Sequence, residues 1–371
     1  MKKFLIFVIA VIATITSVAQ NPIVGFGTNE ARYVGEDVIV PILIANMPPV
    51  NSIGLGIEFN SDAITYVEGV STSVTPWLVF HVEPSVPNRL MIGGYIVGES
   101  VTIPDGVLGY VTFKYKKLAS PLNFIPHLCE FSVKSETGGA PILVTGTSYT
   151  NGWLIPVVDI AGKTWMAQNA AFGTKITTGQ QTNNGVPEYF AFNDTLFGGL
   201  YKWDETMNYN ATAGSQGVCP TGWHVPTIDE WASLVRANLG QGETFNYFPL
   251  TTYNTAAKKL KATRQPTNIR IRSVADLKKL TWSGSYPGTG ESGFNAVGGG
   301  WYLNGQFAGQ SQSGLYWTSD LVEYKTFDPT RYANNTGSDP AVIQFLSTDQ
   351  SVRIITLKRS TDHISLRCIK N

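Results

Sequence analysis

A chain of 371 residues is longer than one small domain needs and suggests two or more. Charged residues make up only 15% and aromatics 12%, with 37 glycines, which excludes a disordered chain and a helical bundle and fits turn-rich β structure. Lys plus Arg equals Asp plus Glu at 27 each, so net charge gives no reason to expect nucleic acid or an anionic membrane as partner.

Lys2 and Lys3 precede an apolar stretch from Phe4 to Ile15, too short to span a bilayer, and Ser17-Val18-Ala19 supplies small residues for cleavage. Residues 1–19 therefore read as a signal peptide, with the mature chain starting at Gln20 after a cut at Ala19. The expected product is secreted or held at the cell surface, in a compartment that permits disulfides. No later stretch is long and apolar enough to predict a transmembrane helix.

From Ile23 to about Ile155, short runs of period two predict strands at Val38–Ile44, Ile53–Phe59, Arg89–Ile96 and Val107–Tyr115. Turn clusters at Gly35-Glu-Asp37, Asn46–Asn51 and Pro104-Asp-Gly106 separate them, and no helical period intervenes. This pattern predicts a β-sandwich over residues 20–155. The runs Gly35-Glu-Asp-Val-Ile-Val-Pro41, Ile53–Asp62 and Gly109-Tyr-Val-Thr-Phe113, closed by Asn151-Gly-Trp-Leu-Ile155, resemble a cohesin domain. That resemblance implies a binding module, related in fold to carbohydrate-binding modules, with a dockerin-like protein module as possible partner. Phe59-Asn60-Ser61 stands where the family has a Tyr-Asp pair, which puts dockerin recognition in doubt. Cys129, without a local partner, is expected to be a buried strand residue.

Pro156 opens a second compositional regime, so the boundary is set between residues 155 and 156, with independent folding expected on either side. Val157–Met166 reads as a hairpin turning over Asp159–Gly162. The most informative run is Cys219-Pro-Thr-Gly-Trp-His-Val-Pro-Thr-Ile-Asp-Glu-Trp231. Pro226 stops the preceding strand, Thr227 is a good N-cap, and Glu230 completes a capping box. Ile228, Trp231, Ala232 and Val235 follow at helical spacing, with Gly240 expected as a left-handed C-cap. Trp223 and Trp231 are expected to anchor one core from either side of the cap. Further helices are expected near Ala256–Ala262, where Lys258, Lys259, Lys261 and Arg264 read as a solvated face, and after Ser273 with Asp276 in its first turn. Strands are expected at Ser292–Tyr302, Gly314–Ser319, Val342–Leu346, Val352–Leu357 and Ile364–Ile369.

Trp165-Met-Ala-Gln-Asn169, Leu200-Tyr-Lys-Trp203, the Cys219–Trp231 run, Ser292-Gly-Phe-Asn-Ala296, Tyr316-Trp317 and Leu366-Arg-Cys368 together strongly resemble the Fibrobacter succinogenes major paralogous domain. The resemblance covers residues 156–371 and is similar in turn to the C-type-lectin-like fold of formylglycine-generating enzymes. It implies a mainly β chain, a sandwich followed by a lectin-like α+β domain. It also implies that Cys219 and Cys368, the one pair in this half, form a disulfide.

Chemistry is sparse. His81, His127, His224 and His363 lack metal-ligand spacing, and His224, between Trp223 and Val225, reads as a structural histidine. Gln265-Pro-Thr267 only partly echoes a calcium-lectin run. No metal, no cofactor and no catalysis are therefore expected. Most aromatics read as core. Trp301 and Tyr302, beside a run of glycines, are the candidate exposed pair for stacking on sugar. Asp194-Thr-Leu196 resembles a short O-glycosylation sequon. The reading is a secreted, non-catalytic binding or adhesion protein for an extracellular glycan, associated with polysaccharide use; the alternative is a protein–protein scaffold without glycan.

Overall fold

The computed structural model describes residues 20–135, 139–178, 180–245, 254–263, 281–323 and 338–371. The expected signal segment, Arg264, Gln265–Thr267 and the helix expected after Ser273 lie outside these. Among the described residues the chain is mainly β, as expected, and no helix is long and apolar enough to cross a membrane.

The first half is a sandwich. Its strands are β1 (Ile23–Phe26), β2 (Thr28–Ala31), β3 (Asp37–Ala45), β4 (Ser52–Phe59), β5 (Ile64–Ser71), β6 (Val79–Val82), β7 (Arg89–Tyr95), β8 (Gly106–Tyr115), β9 (Ser120–Phe124), β10 (Glu130–Val133), β11 (Ile142–Leu143) and β12 (Ser148–Thr150). One sheet runs β12-β1-β3-β8-β5. Period two decides its inner face: Val38, Val40, Ile42 and Ile44 of β3 are buried, whereas Ile39 and Leu43 are exposed. Pro41 is tolerated because β1 pairs β3 only from Ile42 onward, so no ladder bond is lost on that edge. Cys129 sits half-buried just before β10, its thiol directed at the Gly56 carbonyl.

The second sheet runs β11-β10-β4-β9 and then continues through β13 (Gly152–Ile160) and β14 (Lys163–Met166) into the second half. Residues 152–156 of β13 pair with β9 and β2, and residues 157–160 pair with β14. The expected boundary thus lies inside one unbroken strand, where the partners change. Ala161 and Gly162, both at positive φ, make the two-residue turn into β14.

Beyond it come β15 (Thr174–Lys175), β16 (Glu188–Tyr189), the one-turn helices α1 (Asp194–Phe197) and α2 (Trp203–Thr206), β17 (Trp223–His224), α3 (Ile228–Arg236) and α4 (Ala256–Leu260). The chain ends in β18 (Trp301–Leu303), β19 (Gln306–Ala308), β20 (Ser313–Glu323), β21 (Ser338–Leu346), β22 (Val352–Thr356) and β23 (Ile369–Lys370). The strands expected over Ser292–Tyr302 and Ile364–Ile369 are mostly irregular. Only Trp301 and Tyr302 of the former and Ile369 of the latter join named strands, because isolated bridges replace ladders there.

Two more expectations are corrected. Helix α3 ends at Arg236 on Ala237, which keeps right-handed φ and ψ, so Gly240 caps nothing. Trp223 and Trp231 sit in different clusters: Trp231 with Trp165, Phe294 and Tyr316, and Trp223 with Trp203, Trp317 and Ile364. They lie on opposite sides of the short sheet formed by β14, β23 and β17. Period two across that sheet sends neighbouring side chains to different cores.

Candidate functional site

The Cys219–Trp231 run folds as its capping chemistry requires. Thr227 Oγ1 accepts from the Glu230 amide at 3.3 Å, and the Glu230 carboxylate accepts from the Thr227 amide at 3.0 Å. Asp320 accepts from the Ile228 amide at 2.7 Å, so another free N–H of the first turn is satisfied. His224 bridges Glu230 Oε2 at 3.0 Å and Asn371 Oδ1 at 2.6 Å. The hydrogen bond to Glu230 raises the His224 pKa above its usual value. Burial opposes ionisation of Glu230, but the bonds from His224 and Thr227 prevail and hold its carboxyl at about 2. The side chains of His224, Thr227 and Glu230 are spent on the turn, so these residues are structural. Cys219 and Cys368, both buried, are joined by a disulfide.

Two buried cations organise the loops around this motif. Arg367 is fully buried and donates to Asn169 Oδ1 at 2.9 Å, Met166 O at 3.2 Å, Asn295 O at 2.8 Å and the Phe294 carbonyl. Its guanidinium lies 4.4 Å from the Phe294 ring centre. Burial lowers its pKa to about 10. Lys261 is not part of a solvated face, as expected for the basic segment, but is fully buried at the end of α4. Its ammonium donates to Leu346 O at 3.0 Å, Asp349 O at 2.8 Å and the Tyr286 carbonyl, and burial lowers its pKa to about 8. The run of lysines in the sequence concealed one that has turned inward.

The candidate sugar platform is placed differently from its expected exposure. Trp301 and Tyr302 are both half-buried. The Tyr302 ring stacks on Phe190 at 4.1 Å and 22°, and Phe307 lies 4.8 Å away, so one face and one edge are already covered. Trp301 lies over Gly309, where a Cβ would come within 2.2 Å of the indole. Asn304-Gly305, both at positive φ, form the hairpin turn that brings Phe307 back onto Tyr302.

A better formed site lies at the junction of the halves. A cleft of about 500 Å³ has the outward face of β9 and β13 as its floor and residues 168–173 with α1 as its wall. Along β13, Gly152 and Leu154 point into the sandwich, so Trp153 points out, opposite Pro121 of β9. The Phe172 ring meets the Trp153 indole edge-on at 4.7 Å and 75°, which fixes the indole at the cleft. Asn60, Asn123, Asn151 and Gln168 surround it. Asn151 Oδ1 is occupied by the Phe124 amide at 2.9 Å, and Asn60 Oδ1 by the Asp62 amide at 3.0 Å. The carboxamides of Asn123 and Gln168 and the Trp153 indole N–H bond to no described residue. The lining contains no Lys, Arg, His or Cys, and its one carboxylate, Asp194, is paired with Lys175 at 3.2 Å. Among the described residues no group of three or more His, Cys, Asp or Glu is placed to hold a metal ion.

The sequence contained a usable signal for this site. Asn151-Gly-Trp153 alternates polar, small and aromatic beside a strand whose own outward positions are Pro121 and Asn123. Read only as a closing strand, it hid a tryptophan at an outward register position.

The second half carries the deciding match: the model of the Fibrobacter succinogenes major domain aligns with residues 158–370. The chain belongs to that family. The family match begins two residues after Pro156, where β13 changes partners, and takes in the disulfide and both buried cations. The first half is similar to cohesins. The third cohesin of ScaC from Acetivibrio cellulolyticus, solved in complex with the ScaB dockerin, is 14% identical. It covers 36% of this chain and 96% of its own, with a TM-score of 0.32. A non-cellulosomal cohesin from Archaeoglobus fulgidus is 22% identical over 37% of this chain and 92% of its own, with a TM-score of 0.31. No curated protein matches the chain.

Proposed function

We propose that this is an exported, non-catalytic binding protein that holds a neutral stretch of glycan in the junction cleft. The observation that carries the reading is the company around Trp153: five carboxamides (Asn60, Asn123, Asn151, Gln168 and Asn169), an aromatic face and no unpaired charge. Hydroxyl-rich sugars need several donors and acceptors at once, and carboxamides offer both. An aromatic ring supplies the apolar contact that a pyranose face needs, and a few placed polar groups set orientation. The carboxamides of Asn123 and Gln168 bond to no described residue and are open to a ligand. No nucleophile stands beside a base in the cleft, which supports binding without turnover. The lysine-led apolar start of the chain supports export. The lectin-like fold implied by the sequence resemblance fits the same reading, although the ligand then sits at the edge of that domain and not at Trp301 and Tyr302.

Affinity electrophoresis through gels cast with neutral β-glucan, xylan or mannan tests this. One of these polymers should retard the full chain. Asn123→Ala and Gln168→Ala should each weaken retention while leaving the melting temperature unchanged, because neither side chain bonds to a described residue. Trp153→Ala should abolish retention. If no glycan is retained and a dockerin-like protein module binds instead, the scaffold alternative replaces this one.

A further inference from the structure

The junction holds a second hollow, of about 570 Å³, on the far side of a shared ridge. Leu118, Gln168, Asn169, Thr195 and Leu196 line both hollows, so a ligand lying across this ridge reaches the two together. Leu118 stands on the ridge at φ 64°, a costly conformation for a branched residue, and is half-buried between the halves.

The charge of the second hollow differs from that of the first. Its ionisable lining is Arg32, Lys117 and Arg367 with two tyrosines, and no Asp or Glu lines it. Arg32 shares its charge with Glu30 at 3.4 Å and Asp159 at 3.3 Å. Lys117 is exposed and its ammonium bonds to no described residue. Arg367 is fully buried, bonds to carbonyl and carboxamide oxygens and to the Tyr316 hydroxyl, and has no carboxylate partner among the described residues. A buried cation without a counter-charge leaves a positive field in a site of low dielectric. Among the described residues no carboxylate balances that field. An anionic group on a ligand would do so.

We propose that the second hollow takes the carboxylate of a uronic acid unit, so that the ligand is an acidic polysaccharide lying with a neutral face on Trp153 and an acidic unit against Lys117 and Arg32, above Arg367. This rests on the reading of the first hollow as a glycan site. The two clefts are then subsites for one chain, and the difference in their linings sets its composition.

The test uses the full chain with an oligogalacturonate and its methyl ester, in which each charge is replaced by a small neutral group, measured by titration calorimetry at low and high salt. The acid should bind about tenfold more tightly than the ester, as for a charge-assisted contact, and the advantage should shrink as salt rises. Lys117→Gln should remove most of that preference, and Lys117→Glu should reverse it. Neither should alter folding, since the side chain is exposed and bonds to no described residue. Asn123→Ala should weaken acid and ester alike. Equal binding of acid and ester overturns the anionic subsite alone and leaves the glycan reading standing. A preference for acid that survives Lys117→Glu also overturns it, because the charge is then met elsewhere. Poly-glutamate bound as tightly as the uronate overturns the assignment to sugar. Failure of every glycan to bind, acidic or neutral, sinks both readings.

Discussion

Replacing Cys219 and Cys368 together by alanine should destabilise the second half and spare the first. The bond spans 149 residues. In the chain-entropy model, releasing a loop of that length costs about 5 kcal/mol, because the unfolded chain regains its freedom. Both sulfurs are buried, so their loss adds a small packing term in the same direction. The temperature shift depends on how much of the chain melts together. Residues 158–370 unfold with an entropy of about 0.45 kcal/mol/K, which converts 5 kcal/mol into a fall of about 11 °C. If all 371 residues melt as one unit, the entropy is about 0.8 kcal/mol/K and the fall only about 6 °C.

The cores decide between these outcomes. The sandwich cluster runs from Val24 to Leu154, and the two other clusters draw their buried residues from Ile155 onward. The junction contributes one strand, two open clefts and surface ion pairs such as Lys370 with Glu30 at 2.6 Å, which are weak. Calorimetry should therefore show two transitions, with the alanine pair lowering one by about 11 °C and leaving the other in place. A single transition falling by about 6 °C would refute the separation of the halves. A shift below about 2 °C, with the bond confirmed by mass in the parent protein, would refute the entropic argument itself.

Thr227→Ala removes half of the capping box and should cost the second half about 1 kcal/mol, read as a fall of about 2 °C in its transition. Lys261→Met leaves the Tyr286, Leu346 and Asp349 carbonyls without their donor and should cost about 3 kcal/mol in denaturant titration. The His224–Glu230 pair makes stability depend on pH from both sides. His224 is raised above 6.5, so its contribution is complete below pH 6.5 and fades as pH climbs through its folded value. Glu230 is lowered from 4.5 to about 2, so its contribution is complete above pH 4.5 and is lost as pH falls toward 2. The second transition should be highest between about pH 4.5 and 6.5, and His224→Gln should flatten its alkaline side.

The sandwich was legible because alternation writes inside and outside directly into a strand. Val38 to Ile44 could hardly be placed otherwise. The capping box was legible for a similar reason: Thr227 and Glu230 need only each other and three residues of spacing. Gly240 misled because a helix can stop on an ordinary right-handed residue, and glycine downstream does not compel a cap. Lys261 misled because a side chain's environment is set by residues such as Tyr286 and Leu346, far along the chain. The cleft escaped for the same reason. Asn60, Asn123, Asn151 and Gln168 are dispersed along the chain and meet only when β9, β13 and the second half are assembled.

The residues that make the family recognisable are largely those that satisfy its irregular backbone. The second half has few long ladders, so many buried carbonyls need side-chain donors. Trp203 donates to Thr318 O at 2.8 Å, Trp317 to Tyr201 O at 2.7 Å and Trp282 to Ala296 O at 2.9 Å. Arg367 and Lys261 do the same for clusters of carbonyls that no strand reaches. Asn169 ties Phe197 O to Arg367. An indole suits this task because one N–H is carried on a large apolar body, so burial and bonding occur together. These side chains are consumed by the fold, and a ligand would have to unmake it to reach them. Specificity is better sought in side chains with nothing to hold. Asn123 and Lys117 meet that condition, Trp153 keeps its indole N–H unbonded among the described residues while its ring packs on Phe172, and all three lie outside the residues that the family match covers.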